Sequence, residues 1–274
     1  TSVHSAESES LRVCMISGSW EYDSEKSLRA FEKVLESNYD VEATLVQAAK
    51  RDDLAGLDAL DDCDVALFFT RRLEIDGTQL QKVKDYCLSG RPIVACRTAS
   101  HGFQNWLEFD RIVLGGNYRG HFGNEITTQL RIVEGAGDHP VLQDVEPFRS
   151  LASLYKTEPI AGDCALLMTG ETPKSGGSQP VAWTRTFKGA RVFYTSLGAP
   201  CDFDHAQFRR MMVNALFWAA ERSADSRRRL QDESASSRGR RQDGLPTRPT
   251  SSRRIPLQER VKDDSGEWRV ETEQ

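Results

Sequence analysis

The chain has 274 residues, six cysteines, five histidines and a formal net charge of −5. That length fits one large domain or two small ones, and no apolar run approaches the roughly 20 residues a helix needs to cross a bilayer. The charge divides into −8 over residues 1–221 and +3 over 222–274, and an acidic body argues against a nucleic-acid enzyme.

Residues 1–10, TSVHSAESES, are polar and read as a disordered N-terminus. The chain begins at Thr1 with no Met and no signal-peptide pattern. The chain is expected to be soluble; a removed leader, which would mark an exported chain, and a trimmed start are both left open, as is the compartment. Leu11–Ile16 reads as a first strand and Ser17–Tyr22 as a strand-to-helix loop. Asp23 or Ser24 caps a helix whose Leu28, Phe31, Val34 and Leu35 share one face. Asp40–Val46 alternates as a second strand, and Val65–Phe69 is a third, wholly apolar one. Arg71 to Glu74 stand at its carboxyl end. Thr78–Ser89 is a helix with Leu80, Val83 and Cys87 inward and Gly90 as its stop.

Arg91–Phe109, RPIVACRTASHGFQNWLEF, is the stretch that organises the chain. Pro92–Cys96 reads as a strand covered on both faces. Arg97–His101 then forms a polar turn, and an amphipathic helix is expected up to Phe109. Three alternations of strand and helix imply right-handed crossovers and a parallel sheet with helices on both faces. Leu114–Asn124 holds four glycines in an irregular loop. That loop is neither GxGxxG after a strand nor a P-loop, so nucleotide binding is not expected.

Gln129–Val133 is a strand, and Asp138–Leu142 is a turn in which His139 precedes proline and is extended. Ala165–Met168 is a further strand. Val181–Thr186 and Arg191–Ser196 flank Phe187–Ala190 as a hairpin, which places antiparallel strands at one side of the sheet. Phe208, Met211, Met212, Ala215, Leu216 and Trp218 mark a closing helix to Glu221. From Arg222 the composition turns to Arg, Ser, Asp, Gln and Pro with one aromatic, Trp268. Residues 223–274 therefore read as a disordered charged tail, solvated or in contact with a polyanion.

The cysteines Cys14, Cys63, Cys87, Cys96, Cys164 and Cys201 stand singly, with no CxxC and no Cys/His metal spacing. They read as small buried hydrophobes. Cys14 and Cys96 lie in predicted core strands, so a disulfide framework is not expected.

RTASHGF after a buried strand, LGGNYRGHFG, HPVL, SLYK, PVAWTR, RVFYTSLG and FRRMMVNALFWAAER occur in this order. The set resembles the ThuA-like (trehalose-utilisation) family from about Leu11 to Arg222. The resemblance implies a three-layer α/β domain over 11–222. Its fold would be flavodoxin-like, as in class I glutamine amidotransferases, with a mostly parallel sheet and antiparallel edge strands. It also implies a link to sugar use, including routes through 3-keto sugars. It places Arg97 where an amidotransferase carries its nucleophilic cysteine, with Cys96 one residue earlier, so a functional glutamine amidotransferase is not expected. Many family members read LGH where this chain has Ala199.

The residues at loops and strand ends make a candidate site, because such folds bind ligands there. His121, Arg97 and His101 are the expected catalytic residues: imidazoles for proton transfer and a guanidinium for a substrate oxygen. Ser19, Trp20, Ser100, Asn117, Tyr155 and Asp202 are the expected substrate-binding residues. The expected ligand is a small carbohydrate, with no nucleic acid, no cofactor and no membrane span. The oligomeric state is left open, as is a divalent metal on His101, His121 and a carboxylate. Three functions compete: a lyase or hydrolase of a sugar or keto-sugar derivative, a non-catalytic carbohydrate-binding or regulatory domain, and a thiol enzyme using Cys96.

Overall fold

The computed structural model describes residues 10–123, 127–224, 260–262 and 268–270. The expectations for residues 1–9, and for most of 225–274, fall outside them. The chain divides into two units, Thr1–Asp232 and Glu233–Gln274.

In the first unit the strands are β1 Leu11–Gly18, β2 Val41–Gln47, β3 Val65–Thr70, β4 Ile93–Cys96, β5 Thr128–Ile132, β6 Arg149–Ser150, β7 Ala165–Glu171, β8 Gln179–Phe187 and β9 Ala190–Thr195. The helices are α1 Ser24–Asn38, α2 Ala59–Asp62, α3 Gly77–Leu88, α4 Pro200–Asp204 and α5 Ala206–Ala219. The strands form one nine-stranded sheet in the order β2-β1-β3-β4-β9-β8-β7-β5-β6. β2, β1, β3, β4 and β9 pair in parallel. The order 2-1-3-4 with a fifth parallel strand is the flavodoxin arrangement. The antiparallel side expected from the hairpin extends to four strands, β8, β7, β5 and β6.

Alternation along the buried strands builds two cores, one on each face. Val13, Met15, Leu67 and Phe69 face α1 and α5, against Leu28, Phe31, Leu35, Phe208, Met211 and Met212. Cys14, Ile16, Ala66 and Phe68 face the other way, against Leu80, Val83, Tyr86 and Cys87 of α3. Three layers result, because a sheet with two apolar faces needs a cover on each.

One expected element is absent. Residues 102–109 form no regular helix, and a single π-helical turn, Asp110–Leu114, follows them. The backbone there is committed elsewhere. Arg72 N–H donates to His101 O, Leu73 N–H to Gly102 O and Gln104 N–H to Leu73 O, each at 2.7–2.8 Å. Groups bonded to the segment after β3 cannot also close helical i→i−4 bonds. Phe103, Trp106 and Phe109 are buried all the same, against Phe68 and one another. In the second unit, Arg260–Lys262 and Trp268–Val270 pair antiparallel as β10 and β11.

Candidate functional site

The chain turns sharply at the carboxyl end of β4. Arg97 has φ of +50°, a left-handed conformation that is uncommon outside glycine. It opens a 3₁₀ turn over Arg97–His101. The Tyr194 hydroxyl of β9 donates to Arg97 O at 2.8 Å and holds the turn against the sheet.

The guanidinium of Arg97 points inward and is 2 % exposed. Nη1 donates to Ser153 O at 2.9 Å and to Ser196 O at 2.8 Å. Nη2 donates to Ser153 Oγ at 2.9 Å and to the Tyr22 hydroxyl at 3.3 Å. The charge lies 4.3 Å from the ring centre of Tyr155 and 4.9 Å from that of Tyr22, two cation–π contacts. Only Nε is left without a partner. The fork is thus turned toward protein carbonyls. Tyr155 is buried beneath it, and burial pushes its hydroxyl pKa well above the ordinary value.

His101 ends the turn, half-buried. Its ring stacks on Tyr118 with centroids 4.2 Å apart and planes 17° apart. Its Nδ1 lies 3.2 Å from Ser100 Oγ. Burial, then the charges of Arg71, Arg72 and Arg97 and His121, lower its pKa to about 3. The imidazole is therefore neutral across the physiological range, with a lone pair to accept a proton or hydrogen bond. His121 comes to the same end of the sheet on the glycine-rich loop. Its backbone bridges Tyr155, and its exposed ring accepts the Gly123 N–H at 3.2 Å through Nδ1.

The remaining expected residues separate into two groups. Ser100 and Asn117 line a cleft of about 360 Å³ with His101, Phe103, Trp106, Leu107, Asp110 and Tyr118. Asn117 also donates to Glu158 O at 3.3 Å. Ser19, Trp20 and Asp202 lie outside that cleft. Ser19 is buried and accepts the Thr98 hydroxyl at 3.0 Å, which ties the loop after β1 to the turn. Trp20 is 48 % exposed and lines a smaller hollow with Ser17, Gly18, Asp23 and Gln47. Asp202 is buried and accepts from Ser150 Oγ at 2.6 Å, Gly198 N at 2.8 Å and Ala199 N at 3.0 Å. Those bonds occupy its carboxylate in capping α4.

Cys96 is fully buried in β4, and burial raises its thiol pKa, which leaves no thiolate nucleophile there. Among the described residues no three or more His, Cys, Asp or Glu side chains gather to hold a metal ion. No described helix is long and apolar enough to cross a membrane.

Tyr22, Tyr118 and Asp110 were not among the expected site residues. The two tyrosines stand in loops whose irregular sequence gives no periodicity to read. Asp110 ends a segment expected to be helical, where a lone acid looks like a solvated residue.

The family described as ThuA, trehalose utilisation, matches residues 12–219. The chain belongs to that family. Its membership ties it to carbohydrate use. A ThuA-like protein from Parabacteroides merdae is 17 % identical, with 77 % of this chain and 90 % of that one covered at a TM-score of 0.61. A second, from Bacteroides uniformis, is 16 % identical over 79 % and 94 % of the chains, also at 0.61. The carbohydrate deacetylase Agd3 superposes at 0.52 and 12 % identity over 77 % of this chain and 32 % of its own. These likenesses establish a shared fold. No curated protein matches this ThuA chain.

Proposed function

We propose that this ThuA chain binds a sugar or keto-sugar derivative in the cleft beside the Arg97 turn and acts on it by proton transfer, as a lyase or hydrolase. The observation that carries this reading is His101, uncharged and stacked on Tyr118 in the cleft wall. A neutral imidazole accepts a hydrogen bond from a ligand hydroxyl and orients it. Tyr118, Ser100 and Asn117 of the lining offer hydrogen bonds to sugar hydroxyls. The volume lies within the range of small-molecule sites. His121, exposed on the glycine-rich loop and near enough to His101 to act on it electrostatically, is the second proton carrier. Arg97 contributes a fixed positive charge behind Tyr155 and orders the turn.

The alternative is a carbohydrate-binding module without turnover. It is favoured by the commitment of the Arg97 fork to Ser153 and Ser196, which leaves little to hold a developing oxyanion. Incubation with a panel of disaccharides and their 3-keto forms separates the two. The enzyme reading expects turnover of a keto form, reduced about a hundredfold or more by His121→Asn with the melting temperature unchanged. Saturable binding without product, or a fully active His121→Asn, favours the module.

A further inference from the structure

Asp110 opens the π-helical turn that follows residues 102–109. It is 7 % exposed and lines the cleft with His101, Gly116 and Tyr118. Oδ2 accepts the Tyr118 backbone N–H at 2.8 Å, while Oδ1 is buried without a partner. Gly116 makes room for it: a Cβ there would come within 2.1 Å of Oδ1.

Capping the Tyr118 N–H does not explain a carboxyl at this position, since an amide or hydroxyl oxygen would do the same. An orphaned buried acceptor costs stability, so its presence at a cleft wall points to use. The titratable groups around it are Tyr118 on the same loop, Tyr194 from β9 and His101 in the cleft wall. Glu108 and Arg111 flank it in sequence and line the same cleft. Among the described residues no cation forms an ion pair with it. Burial therefore raises its pKa to about 7, with only the Tyr118 N–H pulling the other way.

We propose that Asp110 is the acid of this cleft and gives a proton to an oxygen of the bound molecule. The identity of that molecule rests on the carbohydrate reading above. In the step, the O–H bond of Asp110 breaks and its proton passes to the ligand oxygen. The carboxylate left behind keeps its bond from the Tyr118 N–H. The carboxylate takes up a proton from solvent once the product leaves, so the net proton count is unchanged and no oxidant or reductant takes part.

The test uses the full chain and a small diazo amide, which esterifies carboxyl groups only when they are protonated. The acid proton moves to the diazo carbon, the carboxylate oxygen bonds to that carbon and dinitrogen leaves. Near pH 6 an ordinary aspartate holds a proton on about one molecule in a hundred. Peptide mapping is therefore expected to find the Asp110 ester at least about tenfold above surface carboxyls. Asp110→Asn removes that peptide signal. A parallel ¹³C carboxyl titration of the wild-type chain needs no variant and is expected to place the Asp110 midpoint near neutrality. Protection of Asp110 by trehalose or 3-keto-trehalose supports both the site and the carbohydrate reading. Labelling that no sugar reduces leaves the Asp110 site standing and removes the carbohydrate reading. A midpoint below about 5, or no Asp110 ester while surface carboxyls react on acidification, overturns the inference.

Discussion

His101 illustrates how much one ring's surroundings decide. Its burial, and then its cationic neighbours, hold the folded pKa near 3, against about 6.5 in an unfolded chain. The unfolded state therefore binds the extra proton first as pH falls. No stability is lost to this group above about 6.5, and the loss grows as pH drops from there toward the folded value. His101→Phe is expected to narrow the stability difference between pH 7 and pH 4, measured by urea unfolding at each pH. In the wild type, the His101 ring resonances should show no titration between pH 8 and 5. A midpoint near 6.5 would show that the ring is exposed.

At the scale of elements, the turn after β9 supports the turn after β4. Gly198 has φ of +127°, and a Cβ there would lie 3.3 Å from Arg97 Cβ and from Cys96 Sγ. Its N–H is held by Asp202 at 2.8 Å. Gly198→Ala is expected to cost about 1–3 kcal/mol in chemical denaturation and to disturb the Arg97 turn, visible as shifted Tyr194 resonances. The elements themselves were unevenly legible in the sequence. β1, β3 and β4 announced themselves as buried apolar runs, and α1 and α5 through one-sided apolar spacing. Phe103, Trp106 and Phe109 recur at three-residue intervals, which reads as a helix, yet backbone groups of His101, Gly102 and Gln104 at the start of that segment are taken up by residues 72–73. The spacing reported burial and not conformation. Likewise, the polar turn at Arg97–His101 was readable, but the direction of its guanidinium depends on the carbonyls of Ser153 and Ser196, far along the chain.

For the molecule as a whole, the two cores are built from residues between Leu11 and Ala219. Asp64 and Arg222 still meet at 3.3 Å, so the ordered body reaches that far. The sequence beyond residue 225 is poor in aliphatic and aromatic side chains. Deleting residues 226–274 is expected to leave the melting temperature of the body unchanged within about 2 °C, since little core area is removed. A larger fall in a scanning-calorimetry comparison would show that this segment packs on the body. The charge left behind is more acidic, because the deleted segment is basic on balance.

The fork of Arg97 grips carbonyls 56 and 99 positions further along the chain. A clasp of that span has a consequence in time. It cannot close until β4 and β9 have paired and the segment before β7 has come to rest beside them. Loop-closure entropy delays such distant contacts. The guanidinium is thus expected to be a late-locking latch, loose while the nucleus forms and tight once the chain is native. Arg97→Met would then accelerate unfolding by about tenfold or more and leave the refolding rate nearly untouched, since contacts absent from the transition state act on the unfolding limb. Stopped-flow chevrons of the two proteins read this directly, and a slowed refolding limb would mean that the latch engages early. Before it engages, the turn bearing His101 is not fixed, so a newly folded chain acquires its cleft last.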